Sequence, residues 1–355
     1  MHASTTDAPP SGATLVKVVT RLTQPLRTAL RPAHRRLAGQ LPLYWRRQYL
    51  YAAAMLRPGN FNHPRTFGEK VNWRILHDRR PELVRACDKL EMKAMARERI
   101  PDPQRLRIPE TWWTGTDVDD IPEELLTRKA ILKPNDGSGD VVFLPATREE
   151  LRTATADWLT GEQAERLGEW GYSQAQHVML IEELIPFDSD LPDYKFSVFS
   201  DGEIVLEVHT GRFTEHRCTY YNNNWEKYDA SSTYLPASEQ VTRPERLEDM
   251  FALAAELGAG WDYIRVDFYV SGDDIWFGEY SPYPGGGVTR FVPPSLRLAG
   301  LSLDPADARR GPRLTQPRSP ADCQALFRSA ACPAGWVSAC AAAAAARTRP
   351  GGGGS

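Results

Sequence analysis

The segment that most constrains this chain is a strand-like run at residues 262–270. Every second position there is apolar: Ile264, Val266, Phe268 and Val270. Successive side chains of a strand point to opposite faces, so Arg265 and Asp267 share the other face. A carboxylate within an otherwise apolar strand is unfavourable unless it is paired or bound to a cation. This run therefore predicts a half-buried strand whose second face carries functional charges.

The register of the next strand decides whether Asp267 meets Glu279. A two-residue turn at Gly272-Asp273 would place Asp267 opposite Gly278 and leave the two carboxylates on opposite faces. A three-residue loop, or an equivalent bulge, would place them side by side. We predict the odd-length loop or the bulge, because paired carboxylates are typical of a Mg²⁺ site that also binds nucleotide phosphates. The alternative is two surface acids paired with Arg265 and other cations.

Another apolar run, Ile131–Pro134, contains one lysine and leads directly into a glycine-rich loop. Lys133 lies just before Asn135-Asp136-Gly137-Ser138-Gly139-Asp140, a segment of turn-forming residues. A lysine ammonium neutralises phosphate oxygens, and glycine-rich backbone offers N–H groups that close over them. The loop lacks the Gly-Lys-Ser/Thr run of a Walker A motif. The pattern indicates phosphate binding, and a strand–turn–strand with a solvated lysine is the alternative.

Two other segments fit a nucleotide site with less specificity. The apolar run 178–185 contains Glu182 and Glu183, so its main chain could pair with an adenine edge while an acid holds ribose hydroxyls. A core strand with an acidic end is the alternative. In a helix predicted at 81–99, three basic residues share one face at helical spacing: Lys89, Lys93 and Arg97. Taken alone, a solvated basic stripe is the better explanation of this face.

The remaining pattern predicts an α+β chain. Helices are predicted at about 41–57, from 66 onward, and at 81–99, 147–159 and 245–258, the last with Gly258 as its C-terminal cap. Strands are predicted at 129–134, 141–144, 178–184, 194–199 and 203–209, with Asp201-Gly202 as a hairpin turn.

Cysteine usage argues against a disulfide framework or a zinc site. The five cysteines are odd in number and include no CxxC pair: Cys87, Cys218, Cys323, Cys332 and Cys340. This favours the reducing cytoplasm. Neither His209 nor His216 lies close enough in sequence to a Cys or His partner for a zinc site, so each is interpreted as a hydrogen-bonded structural histidine. No apolar run approaches the ~20 residues of a membrane-spanning helix.

The first 50 residues form a basic segment with Lys17, seven arginines and only Asp7 as an acid. A solvated basic arm is one interpretation. Peripheral contact with an anionic membrane or another polyanion is a second, and an Arg-rich transit peptide is a third. No specific nucleic-acid partner is expected.

Several ordered motifs point to one family. They are Phe61-Asn62, Phe67-Gly68-Glu69-Lys70-Val71-Asn72-Trp73, Asp88-Lys89, Leu132-Lys133-Pro134-Asn135-Asp136-Gly137-Ser138-Gly139, Leu191-Pro192-Asp193-Tyr194-Lys195-Phe196, Gly211-Arg212-Phe213-Thr214-Glu215-His216, Arg265-Val266-Asp267-Phe268-Tyr269 and Phe277-Gly278-Glu279. Together they resemble the TupA-like ATP-grasp family, which is associated with teichuronopeptide and other surface-polysaccharide biosynthesis. The resemblance covers roughly 42–295.

The resemblance implies an α+β, ATP-grasp fold in which two α+β lobes clamp ATP. The sequence pattern adds an N-terminal helical region, and the Ala-, Arg-, Pro- and Gly-rich composition beyond about residue 300 predicts a disordered C-terminal tail. The expected domains are a basic, partly disordered arm at 1–40, an N-terminal helical or α+β lobe at 41–128 and ATP-grasp lobes at 129–300. Within the last range, the lid subdomain is expected at about 129–183 and the catalytic subdomain at about 184–300. Residues 301–355 would be a low-complexity tail.

The resemblance also implies roles for single residues. Lys89 and Lys133 would hold ATP phosphates under a lid of Gly137, Ser138 and Gly139, while Glu182, Glu183 and Leu184 would line the adenine and ribose pocket. Lys195 and Arg265 would be catalytic, and Asp267, Glu279 and Ser281 would bind one or two Mg²⁺, with Mn²⁺ able to substitute. Many ATP-grasp enzymes have Asn where Ser281 stands, and a hydroxyl is the weaker ligand. Arg212 and His216 are candidates for binding a substrate carboxylate.

The expected function is an ADP-forming carboxylate–amine ligase that forms an amide through an acyl phosphate, located in the cytoplasm with peripheral membrane contact as an option. Its partners would be ATP, a carboxylate and an amine such as an amino acid. The alternatives are an ATP-grasp phosphotransferase acting on a sugar or hydroxyl, and a non-catalytic ATP-binding accessory protein of polysaccharide assembly.

Overall fold

In the computed structural model, the described residues are 39–137, 139–187, 191–211, 215–228 and 241–289, apart from the side chains of Glu162 and Gln163. All of them belong to one compact unit. The predictions made for the basic arm before residue 39 and for the tail lie outside the described residues. So do the placements of Ser138 and Arg212.

Nine α-helices flank two antiparallel sheets in the described part of the chain. The helices are α1 Leu43–Met55, α2 Phe67–His77, α3 Pro81–Cys87, α4 Lys89–Arg99, α5 Glu123–Leu126, α6 Arg148–Thr155, α7 Glu162–Leu167, α8 Trp170–Ser173 and α9 Leu247–Gly258. The strands are β1 Thr111–Gly115, β2 Ala130–Pro134, β3 Val142–Leu144, β4 Met179–Glu183, β5 Asp193–Phe199, β6 Ile204–Thr210, β7 Arg217–Tyr221, β8 Tyr263–Ser271 and β9 Asp274–Ser281. Short 3₁₀ turns lie at Val118–Asp120, Trp158–Thr160 and Pro284–Gly287.

The first sheet has the strand order β1-β4-β2-β3. Leu132 of β2 and Ile181 of β4 are directly opposite each other and bury their side chains in a small core with Leu151 of α6. The sequence pattern predicts β2, β3 and β4 but not β1. Its residues, Thr-Trp-Trp-Thr-Gly, have no clear two-residue alternation, and all are partly or fully exposed.

The second sheet has the strand order β7-β6-β5-β8-β9. Its apolar face, which includes Phe196, Val266 and Phe268, packs in one cluster with Met92 of α4 and Leu253 of α9. The predicted alternation of β8 is confirmed, because these side chains lie on the core side. The opposite face of the same five strands carries the charged residues described below.

The helix predicted over 81–99 is wrong as a single element, because Asp88 divides it into α3 and α4. Asp88 has an extended backbone, with φ −97° and ψ 116°. Its carboxylate accepts hydrogen bonds from the N–H groups of Leu90 and Glu91, at 3.0 and 3.1 Å, as the N-cap of α4. The break puts Lys89 in the first turn of a new helix.

The glycine at the end of α9 has a different role from the predicted cap. Gly258 is the last helical residue, and a Cβ there would lie 2.6 Å from Cγ1 of Val198 in β5. The positive φ of +83° falls two residues later, at Gly260. Gly258 is therefore required for the close approach of helix and sheet.

No helix within the described ranges is both long and apolar enough to cross a membrane.

Candidate active site

A cavity of about 230 Å³ is lined by residues of both sheets. Ile131 and Lys133 of β2 contribute from the first sheet, and Tyr269 and Phe277 of the β8–β9 hairpin contribute from the second. Seven of the predicted site residues line it: Lys89, Lys133, Gly139, Glu182, Glu183, Leu184 and Glu279. The sequence motifs from the two halves of the chain therefore converge on one space.

On the first-sheet side, Glu182 lies between two lysines. Its Oε1 is paired with Nζ of Lys133 and its Oε2 with Nζ of Lys93, and Lys93 also donates to Oγ1 of Thr111 at 2.9 Å. Burial raises the pKa of Glu182, but the two lysines outweigh burial and the pKa is lowered overall. Both carboxylate oxygens are engaged, so a ribose contact by Glu182 would require one lysine to move.

Lys93 is the main residue of this group that the site prediction leaves out. The helical spacing predicts that Lys93 shares a face with Lys89, and taken alone it favours a solvated stripe. In the structure Lys93 is 3% exposed. Burial is the main cause that lowers the pKa of Lys93, to about 8. The i,i+4 spacing from Lys89 was the available signal, but it does not tell a buried face from a solvated one.

Lys89 holds the glycine-rich loop in place. Its Nζ donates to the carbonyl oxygens of Pro134 at 2.8 Å, Asn135 at 3.3 Å and Gly137 at 2.8 Å. Burial, with Lys133 as a further cause, lowers the pKa of this ammonium to about 8. A phosphate contact by Lys89 stays a prediction, and the observed contacts make it a positioning group for the loop.

The loop itself has the backbone that its glycines allow. Gly137 and Gly139 have φ values of +92° and +97°, which side-chain-bearing residues rarely adopt. A Cβ at either position would meet no atom within 4 Å, so the loop borders open space. The next residue, Asp140, also lines the cavity. This geometry fits a flap over a ligand, which stays a prediction.

On the second-sheet side, a bulge brings the two predicted metal carboxylates to one face. The turn between β8 and β9 has only two residues, so the three-residue loop is wrong and the equivalent bulge is correct. Phe268 pairs with Phe277 and Asp267 pairs with Glu279, which leaves Gly278 as the extra residue. A Cβ on Gly278 would lie 2.9 Å from the carbonyl oxygen of Asp267, so only glycine fits there without movement.

Arg265 binds all three of the predicted metal ligands. Its Nε and Nη2 donate to the two oxygens of Asp267, each at 2.7 Å, and Nη2 also reaches Oε1 of Glu279 at 3.1 Å and Oγ of Ser281 at 2.8 Å. Burial opposes the charge of Asp267, but Arg265 and Lys195 outweigh burial and lower the pKa of this carboxyl to about 2. The acid is ionised at any physiological pH.

Lys195 joins this cluster from β5, where it is directly opposite Asp267. Its Nζ is paired with Oδ2 of Asp267 and, at 2.6 Å, with Oδ2 of Asp193. Burial lowers the pKa of Lys195, but the two carboxylates outweigh burial and raise it overall. Asp193 is part of the site that the predicted residue set omits, although it lies in a quoted motif two residues before Lys195.

The charges of this cluster fit a divalent cation. Three carboxylates (Asp193, Asp267 and Glu279) face two cations (Lys195 and Arg265), which leaves an excess of one negative charge. The donors are hard oxygens, as Mg²⁺ prefers. Glu279, with 31% of its side chain exposed, is the accessible ligand, whereas the Asp267 side chain is 1% exposed and already pairs with both cations. We therefore take Glu279 as the first candidate ligand and Asp267 as the second.

The candidate substrate residue His216 contacts His209, with 2.8 Å between His216 Nε2 and His209 Nδ1. The expectation of hydrogen-bonded histidines is met for this pair. The expectation that neither has a nearby cysteine is wrong. The β6–β7 register, which the sequence pattern does not reveal because β7 was not predicted, places Cys218 directly opposite His209.

A family model described as TupA-like ATPgrasp matches residues 69–298, which is 230 of the 355 residues. Among curated proteins, a formate-dependent phosphoribosylglycinamide formyltransferase from Stenotrophomonas maltophilia is 34% identical over 64 residues. That match spans 18% of this chain and only 14% of the relative's length.

Solved structures give broader but weaker matches. A D-alanine–D-alanine ligase from Helicobacter pylori superposes with a TM-score of 0.34 and 16% identity, over 57% of this chain and 55% of that one. An N5-carboxyaminoimidazole ribonucleotide synthetase from Thermus thermophilus gives a TM-score of 0.32 and 16% identity, over 66% of this chain and 52% of that one. Superpositions at these scores support no conclusion about activity.

Proposed function

Because this chain belongs to the TupA-like ATP-grasp family, we propose that it is an ADP-forming ligase that joins a carboxylate to an amine. The carrying observation is the cavity, which is lined by Lys133 of the first sheet and Lys89 of α4 on one side and by Glu279 of the second sheet on the other. A nucleoside triphosphate matches that arrangement, because its phosphates need cations on one side and a metal held by acids on the other.

In the proposed reaction, a carboxylate oxygen of the substrate attacks the γ-phosphorus of ATP, and the bond from that phosphorus to the β,γ-bridging oxygen breaks. ADP leaves. The amine nitrogen then attacks the acyl carbon, phosphate leaves with the former carboxylate oxygen, and the amine loses a proton. Amide, ADP and phosphate are the products.

This chain's own residues bind and orient the reactants. Lys133 would neutralise phosphate oxygens once it exchanges Glu182 for the nucleotide. Glu183 and Leu184, where β4 ends, would line the adenine and ribose pocket. Arg265 and Lys195 would stabilise charge on the transferring phosphoryl group. Mg²⁺, held by Glu279 with Asp267 and Ser281, would supply charge neutralisation when bound, and Mn²⁺ would substitute.

The finer assignments also belong to this proposal. The carboxylate would be a uronic-acid polymer or a small acid of surface-polysaccharide biosynthesis, and the amine an amino acid or similar compound. The domain divisions given above, a cytoplasmic location and contact of the basic arm with an anionic surface are further parts of it.

Oxygen transfer tests the proposed chemistry. A panel of uronates, peptides and amino acids is screened for ADP release, and the active carboxylate is then labelled with heavy oxygen. The ligase proposal predicts an absolute need for both an acid and an amine, with one labelled oxygen appearing in inorganic phosphate. A phosphorylated product without an amine requirement would indicate a phosphotransferase instead. ATP binding without turnover across the panel would favour an accessory protein.

Lys133→Ala is the variant that links this chemistry to the cavity. We expect turnover to fall by about 10²–10³-fold, as when one group that stabilises a charged transition state is lost. Lys129→Ala is the matched control, because Lys129 is exposed and lies four residues before Lys133. Equal activity in the two variants would contradict the assignment of Lys133.

A further inference from the structure

The polar face of the second sheet continues beyond the proposed catalytic residues onto β6 and β7. Glu207 is directly opposite Lys195, and His209 lies two residues further along β6, so both share the face of Lys195. Cys218 of β7 is directly opposite His209. A carboxylate, an imidazole and a thiol are thus brought to the same face by strand pairing alone.

These three side chains are close enough to bind one ion. One ligand atom from each (a carboxylate oxygen, an imidazole nitrogen and the sulfur) lies within 4.8 Å of the other two. Nε2 of His209 is 3.5 Å from Oε2 of Glu207. Cys218 is 0% exposed and His209 is 8% exposed, so water competes weakly for these donors.

A second histidine orients the first. His216 Nε2 is 2.8 Å from His209 Nδ1. When His209 donates its Nδ1–H to His216, Nε2 carries the lone pair on the side where Glu207 lies. Metal-binding histidines typically have such a partner on the other ring nitrogen, which fixes the tautomer and the ring orientation.

We propose that Glu207, His209 and Cys218 bind a divalent transition metal, with Zn²⁺ as the first choice and His216 as the orienting partner. A sulfur–nitrogen–oxygen set suits Zn²⁺, whereas Mg²⁺ and Ca²⁺ take oxygen ligands. Three protein ligands leave a fourth, open position, as in zinc sites that bind water or a substrate. The site is distinct from the Asp267 and Glu279 carboxylates, since β5 and its Lys195 lie between them.

Cobalt binding tests the site without any need for a substrate. The 355-residue chain is prepared with the substitutions Cys323→Ser, Cys332→Ser and Cys340→Ser, and is titrated with Co²⁺ alone. We expect one equivalent to bind, with a near-ultraviolet band from thiolate-to-cobalt charge transfer. Excess Zn²⁺ should displace Co²⁺ and abolish the band, whereas excess Mg²⁺ should leave it unchanged.

Variants assign the ligands. Cys218→Ser should abolish the charge-transfer band. Glu207→Gln, which leaves the thiol in place, should keep the band but weaken Co²⁺ affinity, and His216→Ala should weaken it by about 10–100-fold. Cys87→Ser is the matched control, because Cys87 is equally buried but packs in a different cluster with Val71 and Ile75. It should bind Co²⁺ like the parent.

Any of three results would overturn the proposal: the parent shows no charge-transfer band, Cys218→Ser keeps the band, or Glu207→Gln binds Co²⁺ as tightly as the parent. Circular dichroism of each variant establishes that it is folded, and the Glu207→Gln result decides the matter if Cys218→Ser does not fold.

Discussion

Each of the two walls of the cavity holds a group of paired, buried charges, and the net charges of the two groups have opposite signs. On the first-sheet side, Lys133 of β2 and Lys93 of α4 share one buried carboxylate, Glu182, and this group has a positive excess. On the second sheet, two cations, Lys195 and Arg265, are shared by three carboxylates, which leaves a negative excess. A buried charge is tolerable only when it is paired. Each of these two groups thus has an excess of one charge, positive on the first-sheet side and negative on the second; in the proposed function the first faces phosphate and the second faces a metal ion.

The largest effect on stability is expected at the acidic wall. Asp267→Asn leaves Lys195 and Arg265 buried with one carboxylate fewer, and breaking a buried pair typically costs about 3–5 kcal/mol. Urea unfolding of the variant should show this loss. Asp273→Asn, in the exposed turn of the same hairpin, should stay within about 0.5 kcal/mol of the parent. A loss for Asp267→Asn no larger than that of this control would mean that the acidic wall does not depend on the pairing.

On the lysine wall, the buried Lys93 should make the free energy of unfolding depend on pH. The pKa of Lys93 is about 8 in the folded protein against an ordinary 10.5, so between these values the unfolded chain binds more protons. The free energy of unfolding should therefore gain a contribution that rises with pH from about 8, by up to about 1.4 kcal/mol per pH unit.

Lys93→Met isolates this contribution. The difference in unfolding free energy between parent and variant should move in favour of the parent as pH rises from about 8 to about 10, the interval between the folded and unfolded pKa values. A difference that is flat over this range would contradict the buried, cationic character of Lys93.

The bulge that joins the two carboxylates should be sensitive to a single methyl group. Gly278→Ala places a Cβ against the carbonyl of Asp267, and overpacking of this kind costs about 1–3 kcal/mol. ATP turnover should fall as well, because Glu279 is displaced from Asp267. Gly39→Ala, where a Cβ meets nothing within 4 Å, is the control. Unchanged stability and turnover in Gly278→Ala would show that the bulge does not position the site.

The smallest effect is expected at Ser281. Its hydroxyl accepts from Arg265 at 2.8 Å and donates to Glu279 at 3.3 Å, so Ser281→Ala should cost about 0.5–1.5 kcal/mol in unfolding free energy. Turnover should fall less than in Gly278→Ala. A loss of turnover as large as that of Lys133→Ala would make Ser281 an essential ligand.

Features that depend on residues close together in the sequence could be predicted from the sequence. The alternation in β8 gave Arg265 and Asp267 a common face, and the family resemblance gave the fold. The split at Asp88 was missed because N-capping by a side chain competes with an otherwise continuous helical pattern. The bulge was anticipated only as an alternative to a longer turn, since a close approach at Gly278 is a tertiary feature.

What depended on contacts between distant segments was not predictable in this way. Lys93 and Glu182 are 89 residues apart, and nothing in either segment identifies the other as its partner. Cys218 reaches His209 only because β7 pairs with β6 in one register. The motifs thus indicated which residues carry charge, but not which buried side chain each of them is paired with.

Equilibrium binding of ATP, with and without Mg²⁺, tests the division between the two walls most directly. Lys133→Ala should weaken ATP binding to a similar extent in both conditions, because it removes a cation that faces phosphate. Glu279→Ala should weaken binding only when Mg²⁺ is present, because it removes a metal ligand. If both variants lose affinity equally with and without Mg²⁺, or if neither does, the assignment of one wall to phosphate and the other to metal is contradicted.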